Sequence, residues 1–257
     1  MNYSALQQRE IFHLLFLEQL LLCSDPRLYV LKGGVNLRFF FRSARYSEDM
    51  DIDVLAGAVG TLKKNGFKIL NSPSLLRALQ TFGIERVLIN DPLQSKQTET
   101  TQRFRVQLIS GAGDKLPTKI EFSRRPPRSK PNPSVELVEP ELCRRYQRTS
   151  FHVQHYGGAD AVVQKIEALA GRTETQARDL FDLHILYRAG FANRAEIQKR
   201  CGAALRKRAS ERMETLTYDH YAGQVIEFLE PQSRNQDGTK QVWQKMKEQI
   251  GELISDE

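Results

Sequence analysis

The sequence has 257 residues, of which 40% are hydrophobic and 27% are charged, and its formal net charge is +7. This composition supports a packed core and excludes a wholly disordered chain, and no apolar run reaches the roughly 18 residues that a transmembrane helix needs. Three widely separated cysteines argue against a disulfide scaffold or a zinc site. We expect a cytoplasmic protein without membrane contacts, and the basic excess favours an anionic partner such as nucleic acid.

The N-terminal half predicts an α+β domain over residues 1–150. Helical spacing of apolar residues predicts a first helix over residues 4–22, with Ser4 as its N-cap. Later segments show strand alternation or helical spacing. Strands are predicted at residues 28–31, 50–55, 85–90, 103–109 and 118–123, and helices at residues 35–41 and 74–82. These elements indicate an α+β domain with a mixed or antiparallel sheet and packed helices.

The C-terminal half predicts a helical bundle over residues 151–257. Apolar residues recur there at helical spacing with few strand-like runs. Helices are predicted at residues 162–170, 180–187, 195–210, 222–228 and 239–254. Basic residues cluster at 124–130, 144–148 and 199–212, which is the distribution expected of a polyanion-binding surface.

Three aspartates alternate along the predicted strand at residues 50–55. Asp49, Asp51 and Asp53 would share one face, with side chains about 7 Å apart. Such carboxylates either form a solvated acidic edge or share a cation, and Mg²⁺ prefers oxygen ligands of this kind. Glu121, on another alternating strand, is a candidate for a further carboxylate, although a surface ion pair with Lys119 or Arg124 would also explain it.

A glycine pair follows the first predicted strand. Gly33 and Gly34 allow positive φ angles and close backbone approach, and the helix after them would offer free N–H groups to a phosphate. Lys32 and Arg45 are candidates for phosphate contacts or plain surface charges. Ser47 would bond a phosphate oxygen or cap its own turn.

A second polar cluster lies in the helical half. Lys165, Leu169 and Arg172 share one helix stripe, and Asp179 and Asp182 share a face of the next helix. A lysine in this setting binds a triphosphate, and an aspartate orients it. The alternative is a set of interhelical salt bridges. Combined with the acidic strand and the glycine turn, the cluster is typical of phosphoryl or nucleotidyl transfer.

These segments resemble a known family. KGGVNLRFF at residues 32–40 and RYSEDMDIDV at residues 45–54 resemble the KGG–x–x–L and R–x–S–x–D–x–D motifs of the AbiEii/AbiGii toxin nucleotidyltransferases. KIEALAGR at 165–172 and RDLFDL at 178–183 resemble that family's second block. The resemblance implies a DNA polymerase β-like fold and a toxin of a type IV toxin–antitoxin or abortive-infection system, acting beside a cognate antitoxin.

The resemblance also implies roles for individual residues. Asp49 and Asp51 would hold Mg²⁺, and Gly33, Gly34 and Ser47 would contact the phosphates of an NTP. Lys165 would bind the triphosphate, and Asp179 or Asp182 would complete the site. The predicted set is, as catalytic residues, Asp49, Asp51, Lys165, Asp179 and Asp182; as nucleotide-binding residues, Lys32, Gly33, Gly34, Asn36, Arg45, Ser47 and Arg172; and as metal ligands, Asp49, Asp51 and Glu121.

Two points of the resemblance stay open. Many members carry Thr or Ser after the glycine pair, whereas this chain has Val35 and Asn36, so Asn36 or Ser47 would have to supply that polar contact. The third carboxylate is either Asp53 or Glu121. By resemblance the acceptor is RNA, such as a tRNA end, and growth is inhibited; the alternatives are a protein or small-molecule acceptor, or a non-catalytic nucleic-acid-binding module.

Overall fold

A computed structural model describes residues 3–90, 97–124 and 133–255. The chain forms two compact units, of which the first comprises Met1–Phe40 with Tyr46–Tyr156 and the second comprises Phe41–Arg45 with Gly157–Glu257. The boundary therefore follows Tyr156, and the strand that ends there belongs to the first unit, whereas the sequence placed the boundary after residue 150. Among the described residues, no helix combines the length and the apolar character needed to cross a bilayer.

The first unit contains a mixed sheet, as predicted. In chain order its described strands are β1 (Tyr29–Lys32), β2 (Met50–Val54), β3 (Ile84–Ile89), β4 (Gln97–Thr98), β5 (Thr101–Ser110), β6 (Lys115–Ser123), β7 (Pro133–Leu137) and β8 (His152–Tyr156). Their order across the sheet is β3-β5-β6-β2-β1-β8-β7, with β4 paired to β5. β2 runs parallel to β6 and antiparallel to β1, which places the acidic strand in the middle of the sheet.

Helices of the first unit pack the core against the sheet. They are α1 (Ala5–Cys23), α2 (Gly33–Phe40), α3 (Val59–Leu70), α4 (Pro73–Gln80) and α5 (Pro140–Arg145). The predicted N-cap is confirmed, because Ser4 and Gln7 form a capping box at the start of α1. α1 is buried along most of its length and carries polar side chains into the interior, including Glu10 and His13.

The second unit is helical, as predicted. Its described helices are α6 (Gly158–Gly171), α7 (Ala177–Arg188), α8 (Arg194–Arg200), α9 (Ala203–Glu214), α10 (Tyr218–Gln224), α11 (Pro231–Asp237) and α12 (Lys240–Ile254). The single helix predicted over 195–210 is wrong. The chain leaves the helical conformation at Cys201 and restarts after Gly202, which is the N-cap of α9.

Candidate active site

The acidic strand β2 has the two-sided pattern that the sequence predicted. Met50, Ile52 and Val54 are buried, whereas Asp51 and Asp53 point to the other face of the sheet. In the parallel neighbour β6, Glu121 lies directly beside Asp51. Because residues in register on adjacent strands share a face, the two carboxylates lie side by side.

Gly33 lies against the Asp51 carboxylate at the start of α2. Its φ is +72°, and a Cβ at this position would lie 3.1 Å from Asp51 Oδ2. A side chain would therefore be strained on two counts, by the backbone conformation and by the carboxylate. The Asp51 carboxylate therefore lies beside the first residue of α2.

The environment of Asp51 disfavours its charged form. Burial raises the pKa of Asp51, and the negative charges of Glu121 and Asp49 raise it further. Lys119 and Lys32 act in the opposite direction without cancelling the rise. A bound cation would lower this pKa, because it favours the ionised carboxylate.

Asp49, just before β2, is tied to β6 by both of its carboxylate oxygens. The backbone N–H of Lys119 donates to Oδ1 at 3.1 Å, and the Lys119 ammonium lies 2.8 Å from Oδ2. Ser47 donates its hydroxyl to the Asp49 carbonyl at 2.8 Å. Ser47 therefore caps its own turn in this structure, which was one of the two roles considered for it.

The two candidates for a third carboxylate have different partners. Glu121 forms an ion pair with Arg103 of β5 at 2.7 Å, so its partner is neither Lys119 nor Arg124. Asp53 pairs with Lys32 and accepts a hydrogen bond from the Tyr156 hydroxyl at 2.7 Å. The strand register places Glu121 beside Asp51, whereas Asp53 lies two residues further along β2.

A divalent cation fits the donor chemistry of this face. Within residues 3–90, 97–124 and 133–255, no three acidic, histidine or cysteine side chains converge closely enough to enclose a metal. Asp49 and Glu121 are each neutralised by a basic side chain instead. Asp51 is the carboxylate with a raised pKa between two others, so an oxygen-preferring dication would relieve repulsion there.

A buried chain of hydrogen bonds supports the Asp49 turn, and the sequence analysis missed it. Thr118 of β6 donates its hydroxyl to the Glu48 carbonyl at 2.6 Å. His13 of α1 lies with Nε2 2.8 Å from the same hydroxyl oxygen. Since the hydroxyl proton is already donated to Glu48, His13 Nε2 must be the donor in its own bond to Thr118. The signal in the sequence was a histidine within an apolar helix.

Asn36 is an interior residue in this structure. It is 1% exposed, donates to the Tyr156 carbonyl at 2.8 Å and pairs its amide oxygen with His155 Nδ1 at 2.8 Å. Both polar atoms of the amide are thereby used inside the protein. These contacts explain a buried Asn36 without any phosphate.

The second predicted cluster forms a buried ion-pair network within the helical unit. The Lys165 ammonium lies 3.1 Å from Asp179 and 2.6 Å from Asp182. Arg172 pairs with Asp179 at 2.5 Å, and Arg45 makes a two-oxygen contact with Asp182 at 3.0 Å. The interhelical salt bridges considered as an alternative are therefore present, and Arg45 is neither exposed nor a surface charge.

Charge balance holds this network together. Asp179 and Asp182 are both fully buried. Burial alone would raise the pKa of Asp179, but the charges of Lys165 and Arg172 outweigh it and hold that pKa below its usual range. Removal of Lys165 would take one charged donor from each of the two buried carboxylates.

Several residues of the basic segments also have internal partners. Arg200 pairs with Asp160, and Arg212 bonds Thr175 at 3.0 Å. Arg148 pairs with Glu18 at 2.7 Å. Most of the segment 124–130 lies outside the described residues. The basic clusters therefore overstate the cationic surface that is open to a polyanion.

Replacement of Lys165 by methionine tests the network. We expect Lys165→Met to lower the free energy of unfolding by about 3 kcal/mol, because each buried carboxylate loses one charged hydrogen-bond donor. Lys199→Met is the matched control, since its side chain is 78% exposed and its ion pair is 3.9 Å long; it should change stability by less than about 0.5 kcal/mol. Urea denaturation measures both, and equal stabilities would contradict a structural network.

Replacement of His13 tests the buried chain through pH. Burial lowers the pKa of His13 from 6.5 to about 4. Between these values the unfolded chain binds a proton that the folded protein does not, so stability falls as the pH drops below 6.5. His13→Gln keeps a hydrogen-bond donor for Thr118 but cannot titrate in this range. Between about pH 7 and about pH 5, its free energy of unfolding should therefore fall by about 2 kcal/mol less than that of the wild type.

The remaining pH dependence has other sources, including His155 and His184, whose pKa values are also lowered by burial. The measurement is the free energy of unfolding from urea titrations at both pH values. Identical losses in the wild type and in His13→Gln would show that His13 is not buried in its neutral form.

Known proteins share this fold. The crystal structure of JHP933 from Helicobacter pylori aligns with a TM-score of 0.53 and 17% identity, covering 99% of this chain and 92% of that one. The nucleotidyltransferase toxin MenT4 from Mycobacterium tuberculosis aligns with a TM-score of 0.57 and 14% identity, covering 99% of this chain and 86% of that one. Among curated proteins, no significant match was found.

A family model gives the more specific finding. Residues 15–257 match the family described as nucleotidyl transferase AbiEii toxin of type IV toxin–antitoxin systems. The match includes the acidic strand β2, the glycine turn before α2 and the Lys165 network. Because it spans nearly the whole chain, this protein belongs to the AbiEii family of nucleotidyl transferase toxins.

Proposed function

We propose that this chain is a Mg²⁺-dependent transferase that moves a nucleotide from an NTP to the 3′ end of an RNA, such as a tRNA, and thereby inhibits growth until a cognate antitoxin counteracts it. The observation that carries the proposal is the position of Asp51. The negative charges of Asp49 and Glu121 both act on this carboxylate, and the carboxylate lies against Gly33, the glycine that opens α2. The candidate metal ligands would thus adjoin a phosphate-binding site at the start of α2, which we call the phosphate cradle.

The chemistry follows from this arrangement. A hydroxyl oxygen of the acceptor forms a bond to the α-phosphorus, the bond from that phosphorus to the β-bridging oxygen breaks, and pyrophosphate leaves. The hydroxyl proton passes to a carboxylate of the same face. When bound, Mg²⁺ would be held by Asp49 and Asp51, with Glu121 as the third candidate, and would neutralise the triphosphate.

The chain's own groups have separable tasks in this proposal. The first N–H groups of α2 bind phosphate oxygens, because a helix N-terminus carries unsatisfied donors and partial positive charge. Gly33 allows that approach because it has no side chain. Lys119 keeps Asp49 in place through its backbone N–H and its ammonium, and Thr118 fixes the preceding peptide.

The roles of Lys165, Asp179 and Asp182 at the triphosphate stay predictions of the resemblance. Their contacts within the helical unit give them a structural role that does not need a ligand. Lys165→Arg keeps the positive charge of the network. If Lys165 also binds the triphosphate, this variant should raise the KM for NTP although its folding is preserved.

Carboxylate replacement tests the proposed function. Asp49→Asn and Asp51→Asn should each lower the rate of label transfer from NTP to total tRNA by about 100-fold or more, because each removes a negative charge at the metal and reacting phosphate. Asp219→Asn, an exposed aspartate of α10, is the matched control and should transfer at the wild-type rate.

The assay combines Mg²⁺, each of the four NTPs and total tRNA, and thermal melts confirm that all variants are folded. Wild-type transfer rates in either site variant would overturn the metal-site assignment. Absence of transfer from every NTP would overturn the RNA acceptor, and transfer to a protein or small molecule instead would identify the other acceptor classes.

A further inference from the structure

A groove opens on the sheet face beside Asp49. Its volume is about 310 Å³, and it extends across β6 and β5 to the end of β3. The groove lies wholly within the first unit. Its lining residues are Glu48, Asp49, Asn90, Arg105, Val106, Gln107, Pro117, Thr118 and Lys119. Three of them, Asp49, Thr118 and Lys119, already belong to the candidate active site, so the groove is continuous with it.

The groove contains an electrostatic arrangement that an anion would stabilise. Arg105 of β5 lies directly opposite Lys119 of β6 in the antiparallel pair. Like charges at directly opposed positions destabilise a sheet. The Lys119 ammonium is drawn to Asp49 at 2.8 Å, whereas Arg105 is exposed along the groove. Lys119 is thus compensated by Asp49, and a phosphate group next to Arg105 would gain a charge-assisted hydrogen bond from the guanidinium.

The other lining groups suit a nucleotide better than an inorganic anion. Asn90 and Gln107 present amides, each of which can both donate and accept hydrogen bonds. Gln107 faces Pro117 across the β5–β6 pair, which adds an apolar surface beside the amide. Amides next to a cation are the combination that contacts base edges and ribose hydroxyls along a sugar–phosphate chain.

The geometry of in-line displacement indicates whether the NTP or the acceptor would occupy the groove. In the sheet, β1 adjoins β2 on one side, and β6 and then β5 adjoin it on the other. The phosphate cradle at the start of α2 follows β1, so it lies on the β1 side of Asp51. The groove lies on the β6–β5 side. In-line displacement needs the attacking oxygen and the leaving group on opposite sides of the phosphorus, so the acceptor would approach from the groove.

We propose that this groove binds the 3′-terminal nucleotides of a single-stranded RNA acceptor, with Arg105 on a backbone phosphate and with Asn90 and Gln107 on a base or ribose. The inference rests on the proposed function and specifies its acceptor site. The terminal 3′-oxygen attacks the α-phosphorus of the NTP, pyrophosphate leaves, and the hydroxyl proton passes to a carboxylate. Arg105 takes part only by binding the acceptor.

Direct binding tests the groove without relying on catalysis. The probe is a fluorescein-labelled single-stranded RNA of about twelve nucleotides with a free 3′-hydroxyl, which matches the usual site sizes for such strands, and fluorescence anisotropy gives its Kd. Arg105→Gln should weaken binding about five- to tenfold and make the dependence on salt less steep by about one phosphate contact. Arg77→Gln is the matched control, because Arg77 is exposed on α4, lies outside the basic clusters and does not line the groove.

Steady-state transfer completes the test. Arg105→Gln should raise the KM for the RNA by a similar factor and leave the KM for the NTP unchanged, whereas loss of fold would change both. Asn90→Ala and Gln107→Ala should each weaken RNA binding by a smaller factor, with no change in the salt dependence, because they remove no charge.

The outcomes separate this inference from the proposed function. If the wild type transfers label to RNA but Arg105→Gln binds RNA as the wild type does, the groove is not the acceptor site and the proposed function stands. If the wild type does not bind the RNA, or labels only a protein, the groove proposal is wrong. If Arg105→Gln loses RNA binding while the wild type transfers no label, the groove binds RNA and the proposed reaction is wrong.

Discussion

Carboxylates that share one face of a sheet repel each other, and the organisation of the candidate site depends on how this repulsion is balanced. Register places Glu121 beside Asp51, and Asp49 lies just before the strand that carries Asp51. Lys119 and Arg103, from β6 and β5, neutralise the outer two carboxylates. Asp51, against Gly33, keeps a raised pKa. The central carboxylate of this face is therefore the one that would gain most from a bound cation.

Charged residues of the helical unit serve a structural purpose. In the helical unit, Arg45, Lys165 and Arg172 compensate two fully buried aspartates. These cations contribute to the net charge of +7 without adding to a surface that attracts nucleic acid. An RNA acceptor is therefore favoured by a local feature, the groove in which Arg105 opposes Lys119, more than by the overall basic character.

Local patterns in the sequence predicted the parts of the site that depend on local geometry. The alternating pattern predicted that Asp51 and Asp53 share one face of the strand, and the glycine pair predicted a positive φ, which Gly33 has. The partners of the carboxylates were not predictable in the same way. Arg103 reaches Glu121, and His13 reaches Thr118, only because strands and helices distant in sequence are brought into register. The burial of Arg45 was not predictable for the same reason, because its carboxylate partner lies 137 residues further along the chain.

The position of the transferred phosphorus distinguishes nucleotidyl transfer from phosphoryl transfer. Wild-type protein, Mg²⁺ and RNA are incubated with one NTP that carries a radiolabel either on the α-phosphorus or on the γ-phosphorus, and the RNA is then separated and counted. Nucleotidyl transfer predicts that the RNA gains the α-label, that the γ-label appears in pyrophosphate, and that the RNA grows by whole nucleotides. Transfer of the γ-label to the acceptor would show phosphoryl transfer instead and would contradict the account.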